Sequence, residues 1–341
     1  MSGQRTGSWS RRKFLKGLTL AGTAGFLGLQ QERPASAQLP LETKAIRFLR
    51  SVSLCWAPQY VADELLRAEG FTEVTYEKFS PEGPVSDFLT SGKADISLNF
   101  VGPNIIRVDQ GAPVVFLAGT HVGCFEVFGT ERVPRIRDLK GKTAGVAALN
   151  SLEHVFLSSI AAYVGLDPKR DITWVVNPID KLIQLFKEGK IDVMLGFPPT
   201  PQRLRDERIG RVLVNSAIDH PWSQYFCCLV TASREFVRRN PVATKAALRA
   251  ILKATDICAQ EPERAAERLI AGGYTSSYDR ALQVMREVPY NKWREYDPED
   301  TVRFYALSLH DLGMIRTNPN QLIAQSTDWR FLRELKKELK T

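Results

Sequence analysis

The residues with most capacity for nucleophilic or metal chemistry in this 341-residue chain are five cysteines and four histidines. The cysteines are Cys55, Cys124, Cys227, Cys228 and Cys258, and His121 stands three residues before Cys124. A thiol and imidazole metal site can be drawn from His121, Cys124 and the Cys227–Cys228 pair. Its spacings, however, match no C-x2-C couple of the kind that holds structural zinc. Free cysteine behaves as a small buried hydrophobe, so the pattern favours thiols packed among strands. The odd count leaves at least one thiol unpaired in a monomer, and adjacent Cys227 and Cys228 are poorly placed to bond each other. The chain carries no G-x-G-x-x-G, C-x-x-C, H-E-x-x-H or G-x-S-x-G run, which are patterns of nucleotide, redox, zinc and serine chemistry. The inventory therefore leads us to expect no catalytic residue, no metal and no cofactor, and directs attention to binding.

The elements that would position a binding site alternate between strand and helix patterns. Ala45 to Val52 reads as a strand, Pro58 to Ala68 as a helix and Val74 to Phe79 as a second strand. A local self-similarity then appears at an offset of 97 residues, where DFLTSGKADISLNF (Asp87–Phe100) matches QLFKEGKIDVMLGF (Gln184–Phe197). In both, an apolar-periodic segment ends at Gly-Lys, and x-Asp opens a short apolar strand ending at Phe. Gly92 and Gly189 can take the left-handed conformation that stops a helix, and each strand runs into a loop, Val101-Gly102-Pro103 or Pro198-Pro199-Thr200. One copy per half predicts two α/β lobes of like construction, with the two loops facing each other across a cleft at the carboxyl ends of the strands. From Ser233 onward the periodicity is helical over 234–239, 242–260, 262–271, 278–288, 298–312 and 329–339.

The amino terminus reads SRRKFLK (Ser10–Lys16), followed by an apolar run from Leu18 to Leu29 and then Ala35-Ser36-Ala37. This is a charged n-region, an apolar h-region and a small-x-small cleavage site, and the paired Arg11 and Arg12 make it resemble a twin-arginine export signal. The apolar run is too short for an ordinary spanning helix, which needs about 20 apolar residues. Cleavage is expected near Ala37–Gln38, with the mature protein in the periplasm. Residues 1–37 hold six basic residues and one acid, a surplus of five, so only +3 of the formal +8 belongs to the mature chain. The basicity is thus largely an address label, and nucleic acid is not an expected partner. A chain that folds in the reducing cytoplasm before export also suits buried free thiols.

The ordered set LTSGKADISLNFVGP, GAPVVFLAG (Gly111–Gly119), DLKGKTAGV (Asp138–Val146), KEGKIDVML and SREFVRRNP (Ser233–Pro241) resembles the solute-binding proteins of ABC importers in the nitrate/sulfonate/taurine and thiamine-pyrimidine group, over residues 44 to about 315. The resemblance implies an α/β, two-lobed periplasmic-binding-protein fold of type II, with two hinge crossings and a ligand cleft between the lobes. The first lobe is expected to comprise 44–122 and 226–341, and the second 123–225. It implies capture of one small organic solute without turnover and its delivery to an ABC permease in the inner membrane; the export signal adds the Tat translocase as a partner, and the protein is expected to be a monomer.

The strand-end rule and the usual placement in such proteins give the binding candidates. They are Ser53, Cys55 and Trp56 after the first strand, Asn99 and Val101 at the first repeat, and Phe197 at the second. Asn150 and Ser151 join them before a helical run, and His121, Trp222 and Tyr225 come from the hinge stretches. Asn150 is expected to cap the helix starting at Leu152, with Glu153 answering three positions later. Sulfonate binders dock their anionic head at such a helix start. A carboxylate in that first turn opposes a bare anion unless it points away into the capping box, which leaves room for an amine-bearing or nitrogen-containing heteroaromatic ligand in place of a sulfonate. An exported enzyme or a sensor subunit on the same fold is the alternative. The related pyrimidine-forming enzymes carry a cysteine-rich run that this chain lacks.

Overall fold

The computed structural model describes residues 39–79 and 83–340; the expected export signal, residues 1–37, lies outside them. Among the described residues the chain begins with β1 (Ala45–Arg50), short helices α1 (Ala57–Val61) and α2 (Asp63–Ala68), β2 (Glu73–Lys78) and α3 (Val85–Thr90). β3 (Ile96–Phe100) passes directly into α4 (Val101–Asp109), and β4 (Val114–Val122) follows. The middle segment holds β5 (Glu126–Gly129), β6 (Lys142–Val146), α5 (Leu152–Tyr163), β7 (Ile172–Val176), α6 (Ile179–Lys187), β8 (Val193–Gly196), α7 (Thr200–Asp206) and β9 (Arg211–Asn215). After β10 (Phe226–Ser233) the chain is helical: α8 (Arg234–Arg239), α9 (Pro241–Gln260), α10 (Pro262–Ala271), α11 (Tyr278–Glu287), α12 (Pro298–Asp311), α13 (Pro319–Ser326) and α14 (Arg330–Glu338). The helix expected over 58–68 is two pieces that meet at Ala62, and α13 was not anticipated. Among the described residues no helix is long and apolar enough to cross a membrane.

Three sheets organise these elements. β1 and β2 pair in parallel, β10 lies antiparallel between β3 and β4, and a five-stranded sheet runs in the order β7-β6-β8-β5-β9. In the last, β6 is parallel to β7 and β8, while β5 is antiparallel to β8 and β9. Every residue of β3, β4, β5 and β8 is buried, which explains their near-continuous apolar runs: helices cover both sheet faces and no solvent face exists to alternate with. All middle-segment strands belong to the five-stranded sheet, giving a second lobe distinct from the first.

The chain passes between the lobes twice, from β4 into β5 and from β9 through a 3₁₀ turn (Trp222–Gln224) into β10. The two crossings touch. The Phe125 N–H donates to Ser216 Oγ and the Ser216 N–H to the Phe125 carbonyl, both at 2.9 Å. Away from them, α7 of the second lobe is fastened to α11 of the first. Arg205 pairs with Glu287 and with the buried Glu126, Gln202 Nε2 donates to Glu287 at 2.9 Å, and Arg280 meets Asp206 at 2.7 Å.

The repeated Gly-Lys-x-Asp segment is a repeated corner. Gly92 and Gly189 have φ of +71° and +67°, the conformation that glycine adopts without a Cβ penalty. Asp95 Oδ2 accepts the Arg47 backbone N–H at 2.8 Å, and the Arg47 guanidinium pairs with Oδ1 at 2.7 Å and reaches the Gly92 carbonyl. Asp192 Oδ2 accepts the Thr143 N–H at 2.9 Å, and Arg132 pairs with Asp192 while donating to the Gly189 carbonyl at 2.6 Å. Each aspartate thus starts its strand by tying down a neighbouring one.

Candidate functional site

Four strands deliver their carboxyl ends to one place. β1 leads to Ser51, Ser53, Cys55 and Trp56; β3 ends at Asn99 and Phe100; β6 leads to Leu149, Asn150, Ser151 and Leu152; and β8 is followed by Phe197. Together they line a cavity of about 340 Å³ between the lobes. The loops on its two sides are in contact, since the Leu54 N–H donates to the Pro198 carbonyl at 3.0 Å and Ser53 Oγ to the same carbonyl at 3.3 Å. Gly102, at the start of α4, permits close approach of the lobes, because a Cβ there would stand 2.5 Å from Val155 of α5.

Aromatic rings form much of the wall. Trp56 packs on Phe79 with centroids 5.4 Å apart, and Phe100 meets Phe125 edge-on at 5.2 Å. Phe125, at the first crossing, was not anticipated from sequence, although its place between the strand patterns of the two lobes is where a hinge aromatic would sit. Among the described residues, the only charged groups on the lining are Asp87 and Arg107, and they face each other. Arg107 Nε donates to Asp87 Oδ1 at 2.8 Å and Nη2 approaches it to 2.6 Å, while Nη1 donates to Gln110. Such a wall offers ring faces and neutral donors and acceptors, the mixture that orients a small largely apolar molecule.

The start of α5 differs from expectation in two respects. Ser151, not Asn150, is the N-cap, and its Oγ accepts the His154 N–H. Asn150 instead takes a left-handed conformation, φ +66°, and its N–H donates to His154 Nδ1; asparagine tolerates that region better than most residues. Glu153 does not return to the Asn150 backbone. It turns inward, 1% exposed, and accepts from Ser151 Oγ at 2.5 Å through Oε2 while Oε1 has no partner. Burial outweighs that hydrogen bond and holds its carboxyl above the ordinary 4.5. A raised acid favours the fold below its unfolded value, and that contribution is lost as pH rises through the folded one. Glu153→Gln is therefore expected to raise the melting temperature at pH 7 and to change it little near pH 4. A loss of stability at pH 7 would contradict this assignment.

Behind the cavity lies a cluster of thiols around one imidazole. The donor atoms of Cys55, His121 and Cys228 lie within 4.8 Å of one another, and so do those of His121, Cys124 and Cys227. His121 is fully buried, with Nδ1 3.1 Å from the Val122 carbonyl and Nε2 without a partner. Ser53 Oγ stands 3.1 Å from Cys55 Sγ, and Cys124 and Cys227 face each other with sulfurs 3.1 Å apart. Burial pushes the Cys124 and Cys228 thiols well up, and their hydrogen bonds toward neighbouring sulfurs add to it. The same burial is overcome at Cys55 and Cys227 by donors from surrounding thiols and by His121, which pull Cys227 down to about 5. Cys258 stands apart in α9.

Of the sequence-derived candidates, Ser53, Cys55, Trp56, Asn99, Asn150, Ser151 and Phe197 border the cavity. Val101, His121, Trp222 and Tyr225 do not. Val101 is buried at the first turn of α4, and His121 lies in the thiol cluster. The 3₁₀ turn after β9 carries Trp222 and Tyr225 away from the cleft to a small separate hollow with Gly123, Phe156 and Tyr305. There Trp222 meets Tyr163 edge-on at 5.3 Å, and Tyr225 stacks on Phe304 at 4.1 Å.

Comparison with known proteins places this geometry in context. The sequence pattern of the NMT1-like family matches residues 53–271. Two 4-amino-5-hydroxymethyl-2-methylpyrimidine phosphate synthases of Saccharomyces cerevisiae, THI5 and THI12, are each 25% identical over 213 residues, covering 58% of this chain and 61% of theirs. The chain thus spans about three fifths of the length of these curated relatives. Among solved structures, the periplasmic nitrate-binding protein NrtA from Synechocystis PCC 6803 superimposes with a TM-score of 0.74 at 15% identity, covering 88% of this chain and 90% of that one. The alkanesulfonate-binding protein SsuA from Xanthomonas axonopodis pv. citri, bound to MOPS, gives 0.67 at 15% identity over 84% and 99%. The fold is therefore that of the two-lobed periplasmic binding proteins.

Proposed function

The chain belongs to the NMT1-like family, and from that premise we propose that it is the solute receptor of an ABC importer, closing its lobes on a neutral nitrogen-containing heteroaromatic. The observation that carries this reading is the interlobe cavity at four strand ends, whose described charged lining groups, Asp87 and Arg107, neutralise each other. A nitrate or sulfonate would find no uncompensated cation among the described lining residues. A planar heteroaromatic finds ring faces in Trp56, Phe79, Phe100, Phe125 and Phe197, and the Ser51 hydroxyl and the second Asn99 amide proton are placed on the lining to serve its ring nitrogens.

In this reading the mature protein works in the periplasm as a monomer, exported through the twin-arginine route under SRRKFLK, and the closed lobes present a joint surface to a membrane permease. The binding residues are Ser53, Cys55, Trp56, Asn99, Asn150, Ser151 and Phe197. A thermal-shift panel of pyrimidines, aromatic carboxylates, alkanesulfonates and nitrate tests it. A heteroaromatic present at 100 times its dissociation constant is expected to add about 2.7 kcal/mol; stabilisation by sulfonates alone would overturn the choice of solute. The yeast relatives are named as synthases, so the same samples analysed by mass spectrometry decide between binding and turnover. Recovery of the unchanged compound is expected, and steady conversion would replace the receptor reading with an enzymatic one.

A further inference from the structure

We infer that Cys55, His121 and Cys228 form a binding site for one soft d¹⁰ metal cation, zinc(II) or copper(I), at the floor of the interlobe cavity.

The imidazole is already set for this role. His121 Nδ1 stands 3.1 Å from the Val122 carbonyl, so the proton belongs on Nδ1 and the lone pair on Nε2. A backbone carbonyl fixing the tautomer in this way is the usual support of a metal-bound histidine. Nε2 is fully buried and has no hydrogen-bond partner. Within the fold the group it faces is the Cys55 thiol, which interacts with it but is only a weak donor, so a buried acceptor is poorly satisfied without an ion. The atoms in front of it are sulfurs. Ligands on one zinc ion stand about 2.3 Å (sulfur) and about 2.0 Å (nitrogen) from the metal, and so within about 4.6 Å of each other. The Cys55–His121–Cys228 donors fall within 4.8 Å of one another as they stand, so side-chain adjustments of a few tenths of an ångström suffice.

The donor set selects the ion. Two thiols and an imidazole with no carboxylate disfavour magnesium, calcium and manganese and suit zinc(II) or copper(I). Charge agrees as well: two thiolates neutralise a dipositive ion and one neutralises copper(I), so the buried site need carry no net charge, the condition on which ions are tolerated in apolar surroundings. Each thiol that ligates loses its proton to solvent, which makes uptake stronger as pH rises. Ser53 Oγ, 3.1 Å from Cys55 Sγ, can turn its proton from the Pro198 carbonyl to the resulting thiolate.

Access chooses between the two triads that share His121. Cys55 and Cys228 border the cavity, whereas Cys124 and Cys227 do not and are occupied with each other at 3.1 Å. An ion entering from the cavity meets Cys55 and Cys228 first, and a three-ligand site there keeps a position open toward the cavity. This site shares Cys55 with the solute reading, but the test below contains no solute, so the two stand or fall separately.

Cobalt(II) serves as a coloured stand-in for zinc. The full chain, reduced and stripped with a chelator, is expected to take up one cobalt ion with thiolate charge-transfer absorption in the near ultraviolet and the visible bands of a tetrahedral centre. Zinc(II) or copper(I) should bleach both, and imidazole should shift the visible bands through the open position. Cys228→Ser and His121→Ala should each lose the thiolate-bound spectrum or weaken uptake at least a hundredfold, while Cys124→Ala, Cys227→Ala and the remote Cys258→Ala keep one ion. Absence of charge transfer in the reduced unmutated chain overturns the site without reference to any variant's folding. Loss of the ion in Cys124→Ala and Cys227→Ala, with retention in Cys228→Ser, would move it to the other triad and overturn the cavity-facing assignment.

Discussion

Trp56→Ala is expected to weaken binding of the solute on the order of a hundredfold, about 2.8 kcal/mol at 1.4 kcal/mol per factor of ten. Trp56 ends a single 3₁₀ turn (Leu54–Trp56) in the loop after β1, 6% exposed, with Phe79 at its back and the cavity at its front. Its indole is the largest ring on the lining, and a planar ligand that stacks on it would lose both dispersion contact and exclusion of water when the ring is removed. The truncation also destabilises the lobe, so affinity must be separated from folding. Trp329→Ala supplies the comparison: that ring lies remote from the cavity lining and donates to Glu299 at 3.1 Å. It should lower the melting temperature while leaving calorimetric affinity within about twofold. Equal affinities for the two variants would remove Trp56 from the site.

Gly123→Ala is expected to cost on the order of 3 kcal/mol or more, enough to unfold a marginally stable lobe. Gly123 sits in the first crossing with φ +27°, and an added Cβ would stand 2.2 Å from the Ser216 carbonyl oxygen and 2.3 Å from the Ala217 backbone. Both obstacles belong to the second crossing and are main chain, so no rotamer change relieves them. Gly92→Ala separates the clash from the conformational cost. Gly92 has φ +71° with nothing within 4 Å of the added atom, so it should pay only the left-handed penalty of about 1 kcal/mol. Urea unfolding of the two variants measures the difference; a Gly123→Ala variant no less stable than Gly92→Ala would show that the crossings are not locked together.

Local periodicity sufficed for most of the carboxyl-terminal helices because each buries one stripe against the first lobe, and amphipathic spacing survives in sequence. It did not reveal α13, whose eight residues are too short for a pattern, although Asn318-Pro319 is a legible start signal: the Asn318 side chain accepts the Asn320 N–H and proline takes the first turn. The strand ends that line the cavity were legible for the same reason that they line it, since Gly-Lys-x-Asp corners and buried strands fix where loops begin. Side-chain direction was not. Nothing local says that Ser151 caps α5 and frees Asn150, or that a 3₁₀ turn swings Trp222 away. The approach of Cys55 to His121 and Cys228 is a product of the crossings, which bring together residues far apart in the chain, and it is invisible to any rule based on spacing.

The repeated corner has a consequence for how such halves are to be compared. The aspartate and glycine stand at the same interval in both copies, but the guanidinium that locks them arrives from β1 in one, as Arg47, and from the turn after β5 in the other, as Arg132. A comparison of the two halves that insists on matching arginines would therefore miss this structural likeness. What the two corners share is the Gly-x-x-Asp interval and its geometry, and the arginine that fastens each comes from whichever stretch of chain passes within reach.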